Sequence, residues 1–545
     1  MSAFLRPAVR ALGLTIACAG VVGAQGAPKA CEVNEGRPTQ VGRALLAVQV
    51  ATNAEGPAAT RQLTAAVKGL TENGERMDNQ IGRNFVLGKA LVLWTLQPNV
   101  ELVTKRGPLG YVTDPEGTID LAAAIDTAFK VVETAMPECI SETSRWRGQK
   151  GWVTAVNTAI EKLNVDEIDA AEQSAQTAIL LNPYGPYGYV VLANVMAKRN
   201  KSSEAFALYR KSIEVAERDT LYDDIRRQSY IYLGNLAADS AELVEDAAAK
   251  RSYAETARVA FEQLMQDKGA TALRESARAG LCRVAIVSED TASLRTTYKE
   301  QLDNPVGFTY SELMNSGVCM ARAEMVPEAT KLFAAAYEKN PQHRDALSNL
   351  AVMFLRTDSF AEALPLTERL VVVEPNNPES LQLLVLSYAG LAREARDKRS
   401  AGSKAPATKT AAKTATKTKA GTTTKTAPAG PRLSAAAADS LFKIEQTYTA
   451  AAVSTNQRRE TLAYKVTLSD FTTNDERATV AGSVANQGTA VKPIVMKVDF
   501  LDRSGGVVTS KEQALGDIAA GARAQFKITV TPSKEIVAFR YARID

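Results

Sequence analysis

The fold is decided by residues 313–388, in which a pattern of 34 residues occurs twice and begins a third time. The first copy, residues 313–346, reads LMNSGVCMARAEMVPEATKLFAAAYEKNPQHRDA. The second, residues 347–380, reads LSNLAVMFLRTDSFAEALPLTERLVVVEPNNPES, and residues 381–388 continue with LQLLVLSY. A fixed period of this size, with apolar residues at helical spacing and a proline at its close, indicates stacked helix–turn–helix units.

Apolar, small and turn positions all repeat at this spacing. They are Leu313, Leu347 and Leu381; Met320, Phe354 and Tyr388; Ala329 and Ala363; and Pro341 and Pro375. These residues resemble the tetratricopeptide repeat (TPR) family. The resemblance implies a mainly α-helical fold, an α-solenoid of TPR-like helix pairs. It also implies that the first helix of each pair lines a concave groove, where an extended peptide or a partner helix binds.

Weaker copies extend the array towards the N-terminus. Ala171 and Ala205 are again 34 residues apart, and helical apolar spacing begins after Pro38. Residues 97–117 interrupt the pattern with several Gly and Pro. The sequence predicts a solenoid of six to nine helical pairs over residues 38–398.

The chain changes character after residue 398. Residues 399–432 carry Lys, Thr and Ala but no large apolar side chain, which predicts a disordered basic linker. One further helix is predicted at 433–456. Short alternating strands separated by turns then indicate a small antiparallel β-sandwich at 460–545.

The sandwich resembles the small immunoglobulin-like modules called FxLYD-type domains. The resemblance rests on Gly482-x-Val484-x-Asn486 and on the run VDFLD at residues 498–502, which precedes a Gly turn. It implies an immunoglobulin-like β-sandwich of the kind that occurs in exported bacterial proteins.

The N-terminus predicts export. Arg6 and Arg10 precede an apolar run at 11–22, and small residues end at Ala24, so residues 1–24 are predicted to be a signal peptide. The protein is expected to be periplasmic or extracellular, with association with the envelope left open. A lipoprotein anchored at Cys18 is the alternative to soluble export. No later stretch is long and apolar enough to predict a transmembrane helix.

Cysteine and histidine usage argues against most catalytic chemistry. No CxxC pair is present among the five cysteines, and His343 is the only histidine of the chain. Nucleotide-binding, serine-hydrolase and zinc-protease motifs are absent from the sequence. We expect a non-enzyme without cofactor or metal, although an enzyme built on converging carboxylates remains a rival hypothesis. His343 is expected to be an exposed turn residue.

Cys31 and Cys139 are predicted to form a disulfide, because both follow the export signal and an oxidising compartment permits the bond. Two free thiols, or a different pairing of the cysteines, are the alternatives.

The partner site is placed on the first helices, as the resemblance implies. Apolar side chains there would supply contact area, and two arginines would orient an anionic group. Lysine is missing from the groove positions that bind chaperone tails in some relatives, so that specificity is not expected. The candidate groove residues are Asn194, Lys198, Asn235, Met314, Arg322, Ser348, Val352 and Arg356.

The functional hypothesis is an exported scaffold that binds protein partners in its groove, with the β-sandwich as a second contact on a tether. The alternative is an envelope-associated structural protein that the basic linker holds to anionic glycan or lipid. Nucleic acid is not an expected partner, because the linker has no aromatic residues on which bases could stack.

Overall fold

A computed structural model describes residues 30–403 and 433–545. The chain forms two compact units, one up to Ser288 and the other from Glu289 to Asp545, called unit 1 and unit 2 below. The predicted signal peptide and residues 404–432 of the predicted linker lie outside the described residues. The predicted fold class, an α-solenoid followed by a small β domain, is confirmed.

Unit 1 is built of helices that pack in successive pairs: α1 with α2, α3 with α5, α7 with α8, α9 with α10 and α11 with α12. The helices are α1 Thr39–Thr52, α2 Gly56–Thr71, α3 Gln80–Trp94, α4 Arg106–Leu109, α5 Leu121–Ala135, α6 Ile140–Arg147, α7 Lys150–Asn164, α8 Ile168–Leu181, α9 Pro186–Lys198, α10 Ser202–Ala216, α11 Asp223–Leu243, α12 Ala247–Gln266 and α13 Arg274–Val287. The interruption predicted at 97–117 contains α4 and strand β1 (Val103–Lys105), which pairs with β2 (Thr118–Asp120).

Small residues let the paired helices of unit 1 approach each other. A Cβ on Gly88 would lie 2.7 Å from the ring of Phe129, and one on Gly234 would lie 2.6 Å from the ring of Phe261. Real Cβ contacts are essentially never that short, so glycine is required for the rings to pack there. The contact between a glycine on one helix and an aromatic ring on its partner therefore sets the distance between the two helices of a pair.

Unit 2 contains the regular repeats. Helix α16 packs on α17, α18 on α19, and α20 on α21. The last pair includes α21, which the sequence predicts only as a separate helix. The helices of unit 2 are α14 Thr291–Thr297, α15 Lys299–Asp303, α16 Tyr310–Arg322, α17 Val326–Lys339, α18 Arg344–Arg356, α19 Phe360–Val373, α20 Pro378–Ser403 and α21 Ala435–Glu460.

Helix α20 extends five residues past the predicted end of the array at 398. It continues because α21 packs along it, with Arg399 donating to Glu445 at 2.8 Å. The predicted linker therefore begins as helix. Helix α21 likewise ends at Glu460 rather than at residue 456.

The β-sandwich consists of two three-stranded antiparallel sheets, in the strand orders β3-β4-β7 and β6-β5-β8. Buried side chains alternate along β5, where Ile494, Met496, Val498 and Phe500 enter a core shared with the other sheet. The strands are β3 Tyr464–Thr473, β4 Ala478–Asn486, β5 Pro493–Leu501, β6 Val507–Asp517, β7 Arg523–Val530 and β8 Ala538–Tyr541.

Candidate partner-binding groove

An apolar stripe crosses the first helices of the three regular repeats in unit 2. Val318 on α16, Val352 on α18 and Leu386 on α20 are each 34 residues apart and so occupy the same repeat position. Val318 is 41% exposed, Leu386 is 44% exposed and Val352 is half-buried. We call these three residues the groove stripe.

The helix period explains why the groove stripe is open to solvent. The buried positions of α16 include Leu313, Gly317 and Met320. Val318 follows Gly317 by one residue, about 100° around the helix, and so leaves the core side. A single exposed valine is ordinary on a protein surface. Here the same repeat position is apolar in three successive repeats, exposed at Val318 and Leu386 and half-buried at Val352.

Two arginines flank the groove stripe at the ends of their helices. Arg322 is exposed on α16, and none of the described residues forms a hydrogen bond or ion pair with it. Arg356 occupies the equivalent position on α18 and is bound by the carboxylate of Glu324. Arg322 is thus the arginine of this pair with donors available for an anionic group.

The remaining groove candidates in unit 2 differ in access. Ser348 is half-buried on α18. Met314 is buried and lies in the packed interior of α16, so it does not offer contact surface as the sequence analysis expected. The buried face of α16 therefore extends further round the helix than the repeat pattern indicated.

Two of the three candidates in unit 1, Asn194 and Lys198, are engaged within the chain. The hydroxyl of Tyr209 donates to Oδ1 of Asn194 at 2.6 Å, and burial raises the pKa of Tyr209, so that this hydroxyl stays protonated. Lys198 pairs with Asp166 at 2.6 Å. Asn235 is exposed. Asn194 and Lys198 would have to exchange these bonds for contacts with a partner.

Residues 30–38, which we call the strap, are fixed to the first repeats of unit 1. Cys31 and Cys139 are joined by a disulfide. Four residues further on, Glu35 accepts from buried Lys89 at 2.9 and 3.0 Å, and the lysine lies 4.0 Å from the ring centroid of Phe85. Asn79 donates to the backbone of Asn34 at 2.6 Å.

The β-sandwich is packed against the turns of the regular repeats, not held at the end of a tether as predicted. Asn376, in the turn between α19 and α20, is almost fully buried. Its amide group donates to the carbonyls of Tyr464 at 3.1 Å and Ile544 at 2.6 Å and accepts from the backbone of Ile544 at 2.8 Å. The backbone carbonyl of Asn376 accepts a hydrogen bond from the backbone N–H of Val466 at 3.1 Å. One residue therefore fills the gap between the outer edge of β3 and the C-terminal segment.

Other contacts surround Asn376 in what we call the repeat–sandwich joint. Asn340 donates to the carbonyl of Val537 at 2.9 Å. The ring of His343 lies 5.7 Å from that of Phe471, which covers it, so His343 is not the exposed turn residue that was expected. Behind them Arg344 forms an ion pair with buried Glu374 at 2.5 Å. The sequence gives little signal for this joint, because Asn376 looks like any asparagine in a turn.

The described residues contain no group of three or more His, Cys, Asp or Glu that could hold a metal ion. Within the same residues, none of the helices is both long enough and apolar enough to span a membrane.

Solved structures similar to this chain include proteins described as TPR proteins. An assembly chaperone of RpL4, Acl4, is 15% identical, with 45% of this chain and 99% of that chain covered and a TM-score of 0.28. YrrB, a TPR protein with an unusual peptide-binding site, is 16% identical, with 47% and 97% covered and a TM-score of 0.21. Yeast Tom70 is 17% identical, with 62% and 74% covered and a TM-score of 0.20.

At these identities and TM-scores the matches carry no argument about function. No family model matches the chain, and no curated protein matches it. The helix pairs and the six-stranded domain define an α-solenoid protein with a C-terminal β-sandwich.

Proposed function

We propose that this chain is a non-catalytic scaffold that binds a partner protein along the first helices of its regular repeats. The observation that supports the proposal is the groove stripe, which presents apolar side chains at one position of three successive repeats. A helix or an extended peptide with apolar residues at matching intervals would cover Val318, Val352 and Leu386, and an acidic side chain beside it would meet Arg322.

We further propose that the protein works after export from the cytoplasm. The Cys31–Cys139 disulfide supports this, because structural disulfides persist in oxidising compartments and are rare in the cytosol.

Photo-crosslinking in the native host tests the groove. A photoreactive residue is placed at Val318 or Leu386 of the full chain, and Val372, an exposed valine on α19, serves as the matched control. We expect one and the same protein to be attached at both groove positions and to be absent at Val372. Equal adducts at all three positions, or none at the groove positions, would contradict the proposal.

Two further variants define the chemistry. Arg322→Glu is expected to lower the adduct yield at Val318 about tenfold, because a hydrogen bond to a charged group contributes roughly 1.5–3 kcal/mol. A chain without residues 404–432 is expected to keep both adducts, since they form on the repeats. Loss of both adducts in that chain would instead favour an anionic envelope surface as the partner.

A further inference from the structure

The only histidine of the chain lies inside the repeat–sandwich joint. The ring of His343 is 4.8 Å from that of Tyr310 on α16 and 5.7 Å from that of Phe471 on β3, and Phe471 in turn lies 4.9 Å from Phe539 on β8. Because these rings come from the repeats on one side and the sandwich on the other, the imidazole is a packed part of the contact between them.

One nitrogen of this ring is committed as a hydrogen-bond acceptor. His343 is the N-cap residue of α18, and its Nδ1 accepts from the backbone N–H of Asp345 at 3.2 Å. An acceptor nitrogen carries no proton, so the neutral ring holds its proton on Nε2. A second proton must go to Nδ1, where it would face the N–H of Asp345 and remove the cap of the helix.

The groups around the ring favour its neutral form. Burial lowers the pKa of His343, and the neighbouring Arg344 acts in the same direction, whereas Asp345 opposes them. From the other elements, Tyr310 and Phe471 face the ring, and neither is charged near neutral pH. Glu374 lies behind Arg344, to which it is paired.

We propose that the repeat–sandwich joint is a pH-sensitive contact, in which protonation of His343 at Nδ1 weakens the docking of the β-sandwich on the repeats. The docked ring resists the proton, so its stabilisation of docking is present above the ordinary histidine pKa of about 6.5 and is lost as the pH falls below it. If the undocked ring binds protons ten times as strongly as the docked ring, the docking equilibrium constant falls by up to about tenfold.

Glu374 acts with the opposite sign. Burial raises the pKa of Glu374, so the docked state holds that proton more strongly and falling pH favours docking through this group. A variant that changes His343 and keeps Glu374 therefore separates the two effects. His343→Asn meets this requirement, because asparagine also accepts at an N-cap and does not titrate.

Hydrogen exchange of the full chain measures docking directly. The amides of Val466 and Ile544 donate to Asn376 and are bonded in this way only while the sandwich is docked. After correction for intrinsic exchange, their protection is expected to fall about fivefold between about pH 7.5 and 5.5, with the tenfold limit approached only at lower pH. Amides of the central strand β4 are expected to keep their protection from exchange over the same pH range. In His343→Asn the protection of Val466 and Ile544 is expected to be independent of pH over this range or to rise.

The proposal is overturned if wild type and His343→Asn lose protection equally, or if wild type loses none. Should His343→Asn fail to dock even at pH 7.5, the wild-type ring still provides a test, because a single histidine gives a single imidazole signal. Titration of that signal near pH 6.5 with docking intact would overturn the proposal, whereas titration at lower pH together with exposure of Val466 supports it.

Discussion

The two units fix the end of their repeats in different ways. In unit 1 a strap at residues 30–38 is held to the first helix pairs by the Cys31–Cys139 disulfide and by the ion pair of Lys89 with Glu35. In unit 2 the last regular repeats are held by α21 and by a folded β-sandwich, whose contact centres on Asn376. Terminal repeats lack a neighbour on one side, so repeat arrays need such caps. A covalent cap is permanent in an oxidising compartment, whereas a hydrogen-bonded cap can open.

The chain allows the two caps to be measured separately. Its three tryptophans, Trp94, Trp146 and Trp152, all lie in unit 1, and its single histidine lies in unit 2. Tryptophan fluorescence therefore reports on unit 1, and the imidazole signal reports on unit 2.

Removal of the disulfide should have the largest effect. The bond closes a loop of 108 residues, for which the loop-entropy account gives about 4.7 kcal/mol of stabilisation. We expect Cys31→Ser to lower the free energy of unfolding of unit 1 by about this amount, as measured by tryptophan fluorescence in denaturant. Cys139→Ser should behave like Cys31→Ser, because either change opens the same loop. A loss below about 1 kcal/mol would mean that the strap is held mainly by its polar contacts.

Loss of Asn376 should have the next largest effect. Asn376→Ala leaves the carbonyls of Tyr464 and Ile544 and the amide of Ile544 without their partner in a buried contact, at about 1–3 kcal/mol for each unsatisfied group after partial relaxation. We expect a loss of about 3 kcal/mol in docking, read as faster hydrogen exchange at Val466, with no change in tryptophan fluorescence.

Asn315→Ala is the matched control for this prediction, because Asn315 is exposed on α16. Its effect should stay within about 0.5 kcal/mol. If both variants exchange alike, then Asn376 is not what holds the sandwich in place.

The sequence was informative where structure is periodic. The 34-residue spacing predicted the helix pairs, and alternation predicted the strands. The Cys31–Cys139 pair was proposed from the export signal and the compartment. The joint had no such signal. Asn376 lies in a Pro-Asn-Asn-Pro turn, where asparagine is common for local reasons, and its partners are 88 and 168 residues away in the chain.

The sequence predicted only some of the exposed groove residues, for a related reason. Val352 and Arg322 were identified from their place in the repeat, and the structure leaves Arg322 exposed and Val352 half-buried. Met314 was assigned to the same surface, but it is buried. A repeat position specifies the face of a helix, whereas the width of the core on that face depends on neighbouring side chains that the period does not encode.

The helix contacts within the pairs should show the smallest difference between the units. Gly88 meets Phe129 in unit 1 and Gly317 meets Phe333 in unit 2, where an added Cβ would lie 2.7 and 2.5 Å from the ring. Overpacking of a core costs about 1–3 kcal/mol. We expect Gly88→Val and Gly317→Val each to lower the free energy of unfolding of its own unit by about 2 kcal/mol.

Gly69→Ala provides the control for this last comparison, because Gly69 lies on α2 with no atom within 4 Å of an added Cβ. It should stabilise unit 1 by about 1 kcal/mol through helix propensity alone. Equal losses for Gly88→Val and Gly317→Val would mean that the repeats are built alike in both units and that the units differ in their caps. If only Gly88→Val lowers the free energy of unfolding, the helices of the regular repeats in unit 2 can move apart to accommodate the added side chain. The difference between the units would then lie in the repeats themselves.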